Sequence, residues 1–559
     1  DAKVGLSLTY ENAEMRAPSK DILKKSSSGN IEFKGDKSIG IQIYAPFELS
    51  VISAYQTLNS SHDYYLDPAI TVKTPAVDVI NEGTIFTGGA ESYGIKISSA
   101  VNTANSSLIN NGTIKVGGYK EDPLTGTILS GANGDGLSAG IAVLEDINFT
   151  GLTGNNFSPI KAGNIVKNNK KIEVSGQGNS GMFLKTAFND TFINNSGASI
   201  EVSGVRNIGM RIDKGTVAAP ATPERQTGKN EGNIKILNGS DNIGMFANGS
   251  TADVKNENTI EISGGTSNAG MMGSNTVAIS GTPTGIINNS KIIISGGSGN
   301  TGMFINTGLT GYSASSSKIS VTSEKNTGIV NYGTYDMNGS TIEVGGNNSI
   351  GLYSKGTSSD TTAKGTITAS TGAVAMFAES STMKLENLTT TVNDSSLLFY
   401  NYTKNSAPPY YTPTGRFNIG SGVTANIKKG GVVFYNVGNI ASIPTFLNSW
   451  NASTNAMTLN MDSGSRLFVL DEPGLVVNLS SVPPQGSGGT IALQNGNGQT
   501  VANISGTDYK YYTMNKATLN IDQPVNLDDA NDRYHSLEFI SSNVNINSPI
   551  TNNGNNIAR

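Results

Sequence analysis

A short phrase that recurs along the chain constrains its fold more than any other feature. It runs from an apolar residue through Asn, a polar residue and Gly or Asn into an alternating apolar run, as at residues 80–85 and 109–114. A second phrase, Gly followed by Met, Ile or Leu, comes a few residues later. Between residues 181 and 351, the glycines of this second phrase lie 23 to 35 residues apart. Internal repeats of this length are typical of solenoid proteins.

The apolar runs inside each repeat alternate with a period of two residues, as in Ile172-Glu173-Val174. This period predicts short strands, and the Gly, Asn and Ser residues between the runs predict turns. With no helical pattern between the strands, each strand stacks on its equivalent in the next repeat. The sequence therefore predicts an all-β fold, a single-stranded right-handed parallel β-helix of about 20 coils with loop insertions.

Two residue types recur at equivalent positions, and each has a structural interpretation. We expect the repeated asparagines to adopt left-handed turns and to hydrogen-bond to one another along the axis. These are Asn81, Asn110, Asn230, Asn256 and Asn288. The methionines of the second phrase are predicted to fill the core, together with inward-facing Ile, Val and Phe. They are Met182, Met210, Met245, Met271, Met303 and Met376.

The repeats divide the chain into three parts. Residues 1–30 are predicted to be an amino-terminal cap or entry segment, and residues 31–380 to form regular coils. Residues 381–559 carry larger aromatic runs and are predicted to form wider coils with insertions. We expect these coils to continue into a carboxyl-terminal region beyond residue 559.

Composition narrows the classes of partner and cofactor. A net charge of −5 without a Lys/Arg run argues against a nucleic-acid partner. The absence of Cys excludes a disulfide scaffold and a thiol nucleophile, and two histidines are too few for a typical zinc site. We therefore predict no cofactor and no metal.

Four motifs have the residue types of a catalytic or metal site. They are an acidic cluster at 528–535, a polar aromatic stretch at 61–67, a Gly-x-Ser-x-Gly string at 136–140 and a glycine-rich string at 131–136. A β-helical glycan-cleaving enzyme needs paired carboxylates on adjacent coils. The nucleophile elbow needs a strand before it and a helix after it. None of the four motifs meets these demands, so we predict no catalytic residue and no enzyme.

Aromatic insertions are the better candidates for binding. Four tyrosines, Tyr400, Tyr402, Tyr410 and Tyr411, lie on a stretch that three prolines stiffen. Trp450, the single tryptophan of the chain, lies in a later insertion. Rigid aromatic side chains supply contact area at low entropic cost. These five residues are the predicted ligand-binding set.

The run Ile-x-Val-x-Gly-x-x-Asn-x-Gly-Met-Phe at residues 172–183, repeated one residue longer at 292–304, resembles the passenger domains of large type V autotransporter adhesins, especially fusobacterial ones. The resemblance covers residues 31–380 well and 381–559 loosely. It implies a β-helix displayed on the outer surface of a bacterium and held to the outer membrane only through a carboxyl-terminal β-barrel.

We therefore expect an adhesin fragment that binds a host glycan, a host protein receptor or a partner bacterium. A β-helical polysaccharide lyase or hydrolase is one alternative. A structural stalk, with the binding site elsewhere in the parent protein, is another.

Overall fold

The computed structural model of the chain describes residues 3–9, 21–44, 77–98, 107–117, 138–144, 165–186, 190–214, 225–249, 252–274, 285–404, 411–435, 440, 443–452, 455–471, 474–481, 491–526 and 537–551. Its contacts divide the chain into two compact units, Asp1–Gly311 and Tyr312–Arg559. Strands dominate both units. The described residues also include a short helix, Ile443–Leu447, and a 3-10 turn, Leu479–Ser481.

In the first unit, each full coil contributes one strand to each of three parallel columns. We name the columns after residues that recur in them, in the order in which the chain visits them. The asparagine column contains Asp21–Lys25, Val77–Asn81, Ser107–Asn110, Ile165–Asn168, Thr191–Asn194, Gln226–Asn230, Ala252–Asn256 and Ile286–Asn288. The isoleucine column contains Asn30–Phe33, Thr84–Thr87, Thr113–Val116, Lys171–Val174, Ser199–Val202, Asn233–Ile236, Thr259–Ile262 and Lys291–Ile294. The glycine column contains Lys3–Thr9, Ser38–Tyr44, Tyr93–Ser98, Ala139–Leu144, Ser180–Thr186, Ile208–Lys214, Ile243–Asn248, Ala269–Ser274 and Thr301–Ile305.

The second unit has the same three kinds of column, and the strand Thr310–Ser313 contains the division between the units. Its asparagine column contains Thr334–Asp336, Arg416–Ile419 and Trp450–Asn451. Its isoleucine column contains Lys318–Val321, Thr341–Val344, Thr424–Ile427, Met457–Met461 and Thr500–Gly506. Two long strands, Asp360–Ala369 and Thr382–Val392, run through both of these columns. Its glycine column contains Thr327–Asn331, Ile350–Lys355, Val374–Glu379, Leu397–Tyr400, Val432–Tyr435, Arg466–Asp471, Lys510–Asn515 and Leu537–Ile540.

The remaining strands of the second unit lie outside these columns. Tyr402–Lys404 and Tyr411–Pro413 form an antiparallel hairpin. Ile491–Gln494 pairs antiparallel with the strand at residues 500–506. Val476–Asn478, Thr518–Ile521 and Asn543–Ile546 form a parallel three-stranded sheet, and Val525–Asn526 pairs with Ile550–Thr551.

These stacked parallel strands confirm the predicted fold class, a parallel β-helix. Among the described residues, the glycine column has nine strands in the first unit and eight in the second, 17 in all. The sequence predicted about 20 coils from the mean repeat length. Lys3–Thr9 already pairs in register with Ser38–Tyr44, so stacking begins within residues 1–30.

Successive coils approach each other closely at the glycine column. A Cβ atom placed on Gly209, Gly244 or Gly270 would lie 2.6, 2.5 or 2.7 Å from the carbonyl oxygen of the glycine in the next coil. The Cγ2 atom of an isoleucine in the isoleucine column closes the space on the inner side, 3.2 Å from the same position on Gly244. No side chain fits there. In these coils of the first unit, the recurring glycine is therefore a steric requirement of the stacking.

The core next to this column changes along the chain. The methionines predicted to be core residues are fully buried, which confirms that prediction. In the second unit, Ala375 replaces the recurring glycine, and the residues in register with Met376 become aromatic. They are Phe399, Phe434, Phe468 and Tyr512, with successive ring centroids 6.0, 5.2 and 5.9 Å apart.

Buried asparagine amides connect the coils of the first unit. In the asparagine column, each Nδ2 donates to the Oδ1 of the next coil over 2.8–2.9 Å. The members are Asn81, Asn110, Asn168, Asn194, Asn230, Asn256 and Asn288, all fully buried. The predicted axial ladder is confirmed, with Asn168 and Asn194 as members that sequence analysis missed.

The predicted left-handed backbone of these asparagines is wrong, because none of them has a positive φ angle. Positive φ occurs instead at Arg206, Asp241 and Ser267, with values of 55°, 57° and 56°. Each of these three residues immediately precedes a buried asparagine of a second ladder. In that ladder, Oδ1 of Asn207, Asn242, Asn268 and Asn300 accepts a backbone N–H from the preceding coil over 2.7–2.9 Å.

The close approach at the glycine column makes a direct prediction. Gly244→Ala should lower the free energy of unfolding by about 1–3 kcal/mol, because its methyl group overlaps a backbone carbonyl that cannot move away freely. Gly35→Ala is the matched control, since no atom of the described residues lies within 4 Å of its Cβ position. Urea denaturation of both variants tests this, and equal midpoints would contradict it.

The amide ladder makes a second prediction. Asn230→Ala should cost about 1–3 kcal/mol of unfolding free energy for each buried partner left unpaired. It removes the acceptor of Asn194 and the donor to Oδ1 of Asn256. Asn238→Ala, at an exposed position, should leave the urea midpoint unchanged. A midpoint for Asn230→Ala equal to that of the control would show that the ladder contributes no stability.

Candidate functional site

The structure describes only some of the predicted ligand-binding tyrosines. Tyr400 ends a strand of the glycine column and is half-buried, with its ring on the outside. The backbones of Tyr402 and Tyr411 lie in the two strands of the antiparallel hairpin. The side chains of these two residues, and all of Tyr410, lie outside the described part of the chain.

Trp450 is fully buried, which corrects its placement in the ligand-binding set. Its ring stacks on Phe417 with centroids 4.4 Å apart and meets Phe399 edge to face at 4.3 Å. Phe434 contacts it from the next strand of the glycine column. A side chain with no solvent exposure offers nothing to an external ligand, so Trp450 belongs to the core.

Most of the motifs with catalytic residue types lie outside the described residues. This applies to 528–535, 61–67 and 131–136. Ser138 is described and buried, and its hydroxyl donates to the Gly89 carbonyl and accepts the Ser92 N–H at 3.0 and 2.9 Å. This serine therefore stacks one coil on the next. The described ranges contain no group of three or more His, Cys, Asp or Glu that could hold a metal ion.

The most distinctive surface feature of the second unit is an apolar strip on the outside of its glycine column. Four consecutive strands each present one aliphatic and one aromatic side chain, all half-buried. We call this strip the aromatic face. It consists of Ile350, Tyr353, Val374, Phe377, Leu397, Tyr400, Val432 and Tyr435.

Sequence analysis missed this face because the period of two fails on each of its strands, where two consecutive buried residues lie between the two outward ones. In Ile350–Lys355 the side chains of Ile350 and Tyr353 are outside, although they are three positions apart, and Leu352 is in the core. The residue after the core position is therefore outward. In the first unit, Phe246 and Phe304 occupy this position and are only half-buried, which corrects their predicted inward orientation. An aromatic residue three places after an aliphatic one, repeated on each of these strands, is the signal that could have identified the face.

Two tyrosine hydroxyl groups at the edge of the aromatic face are hydrogen-bonded to carboxylates. The hydroxyl of Tyr353 donates to Glu379, which also pairs with Lys355 at 3.1 Å. Burial, and next the hydrogen bond to Glu379, raise the pKa of Tyr353 well above its ordinary value. The hydroxyl of Tyr435 donates to Asp471 in the same manner. These bonds restrict the rings to one orientation.

The rings contact one another along the column. Tyr353 stacks on Phe377 with centroids 4.8 Å apart and planes 22° apart, and Phe377 meets Tyr400 edge to face at 4.6 Å. Much of the π surface is therefore covered by neighbouring rings. The aromatic face presents mainly ring edges and aliphatic carbons to solvent.

No protein-family model, curated protein sequence or solved structure matches this chain. Within the described residues, no helix has the length and apolar character needed to cross a membrane. The chemistry of the exposed faces is accordingly the basis for any functional proposal.

Because Trp450 is the single tryptophan of the chain, its burial can be measured directly. The native chain should show blue-shifted fluorescence emission and little quenching by acrylamide. Both properties should change to those of an exposed indole in concentrated urea. Efficient quenching of the native chain would place Trp450 at the surface and restore it as a candidate ligand-binding residue.

Proposed function

We propose that the chain is a surface-displayed adhesin, a passenger fragment of an autotransporter that attaches a bacterium to host cells or to other bacteria. The observation that carries the proposal is the aromatic face. Eight half-buried apolar side chains form one continuous outward strip on four strands. Contiguous exposed apolar surface on a soluble domain marks an interaction site.

The geometry of the rings favours a protein partner over a sugar. A sugar stacks on an open aromatic ring, whereas the Tyr353 and Phe377 rings are stacked on each other. Ring edges and the aliphatic side chains of Val374 and Leu397 suit an apolar protein surface. Tyrosines whose hydroxyls are already bonded lose little conformational freedom on binding, which is a property of binding hot spots.

The proposed location is the extracellular surface of the bacterium, with the membrane anchor elsewhere in the parent protein. Display of many copies on a cell would convert a modest affinity of each aromatic face into stable attachment. The proposal is compatible with a net charge of −5, because apolar contact does not need electrostatic attraction.

Retention of the labelled chain on human epithelial cells tests this function. Phe377→Ala/Leu397→Ala should lower the affinity about tenfold or more, since each 1.4 kcal/mol of lost contact is tenfold. Phe246→Ala is the matched control, because it removes an outward ring at the equivalent position in the first unit. Circular dichroism establishes that both variants are folded.

Two outcomes would contradict the proposal. Saturable binding that the double variant retains in full would exclude the aromatic face as the binding surface. If micromolar wild-type chain does not bind to epithelial or bacterial cells, the segment is a stalk.

A further inference from the structure

The outward side chains of the isoleucine column change in chemistry along the chain. In the first unit, half of the sixteen outward side chains are charged, and some form ion pairs, as in Lys115–Glu173 and Lys171–Glu201, both at 3.0 Å. From residue 366 onward, five successive strands present only hydroxyl and amide side chains at the two outward positions. We call this surface the hydroxyl grid. It consists of Thr366, Thr368, Thr389, Thr391, Thr424, Asn426, Thr458, Asn460, Asn503 and Ser505.

The registers arrange the hydroxyl grid as two parallel rows. One row runs from Thr366 to Asn503 and the other from Thr368 to Ser505, with one residue per strand in each row. Adjacent members of a row are about 4.8 Å apart, and the two rows are about 6.7 Å apart, because these are the spacings of β-strands and of alternate residues. The residue between the rows points into the core, as Leu459 does.

The side chains of the grid have few alternative conformations. The Asn460 amide donates to Oδ1 of Asn426 at 2.9 Å, and the Ser505 hydroxyl donates to Oδ1 of Asn460 at 3.0 Å. Threonine is restricted at χ1 by its branched Cβ. Thr389, Thr458 and Asn503 are exposed. The grid thus presents ordered donors, acceptors and methyl groups to solvent.

We propose that the hydroxyl grid binds an extended, β-linked neutral polysaccharide lying along the column. Its ten positions contain no charged residue, so nothing in them would attract an anionic or cationic ligand. An apolar protein surface would bury the hydroxyls without partners, which is costly. A sugar chain supplies hydroxyls as partners and C–H groups for the methyls, and it repeats them along its length. This site is separate from the aromatic face and extends the proposed function to a second class of ligand.

Co-sedimentation of the 559-residue chain with amorphous cellulose tests the proposal, with heparin-agarose as the anionic comparison. The wild type should be retained on cellulose equally at 0.15 M and 1 M NaCl, because salt does not screen contacts between neutral groups. It should not be retained on heparin. A chain that cellulose does not retain, or one that heparin retains and salt elutes, would overturn the proposal.

Substitutions within the grid distinguish the contribution of its hydroxyl groups to binding from the contribution of its shape. Thr389→Val/Thr424→Val keeps the volume and removes two hydroxyls, and retention on cellulose should fall about tenfold or more for about 1.4 kcal/mol of lost bonding. Thr389→Ser/Thr424→Ser should retain binding within about threefold, a loss of under one kcal/mol. Unaltered retention of the valine pair would overturn the assignment.

Two further variants serve as controls. Glu261→Gln changes an outward residue of the isoleucine column in the first unit and should leave cellulose retention unchanged. Phe377→Ala/Leu397→Ala should also bind cellulose normally, so that failure of cell attachment and failure of polysaccharide binding are distinguished. A loss of cellulose retention in either control would contradict the placement of the site.

Discussion

In the first unit, successive coils of this β-helix stack with their backbones so close at the glycine column that one methyl group would not fit between them. The distance from a hypothetical Cβ on Gly244 to the next carbonyl oxygen, 2.5 Å, is well inside van der Waals contact. Glycine at this position allows the core side chains of one coil to stack in register on those of the next coil. The buried methionine row and the two amide ladders of the first unit depend on that register.

A narrow solenoid needs close stacking and also hydrogen-bond partners for its buried polar groups. The two asparagine ladders supply those partners. The turns next to the two ladders place backbone N–H and carbonyl groups beside the core, where an unpaired group is costly. An asparagine amide both donates and accepts, so it bonds with its own kind in the adjacent coil and with the turn backbone, as Asn230 does. In the coil that precedes Asn81, the position in register with it is occupied by Lys25. The ammonium group of Lys25 donates to the turn carbonyls of Ser26 and Gly29.

From Ala375 onward, the recurring glycine is replaced by larger residues, and aromatic side chains fill the core. Phe399, Phe434 and Trp450 pack there as one cluster. The outer surface changes over the same coils. On the glycine column, the aromatic face replaces mixed side chains, and on the isoleucine column, the uncharged hydroxyl grid replaces a surface that contains ion pairs. The two proposed binding surfaces are thus both located where the regular repeat is modified.

Sequence alone determined the strands, the parallel stacking, the methionine core and most of the first asparagine ladder. These features repeat at each coil, and the alternation of apolar residues reports them locally. It did not reveal the outward position of Tyr353 and Phe377, because the period of two fails at the two consecutive buried residues that precede each of them.

Nor did sequence reveal that Trp450 is a core residue, since its neighbours Phe399 and Phe417 come from other strands. The hydroxyl grid exists only through the register of five strands, which are as far apart in sequence as residues 366 and 503. Only the tertiary structure decides which side chains share a face, because that depends on where each strand lies against the next.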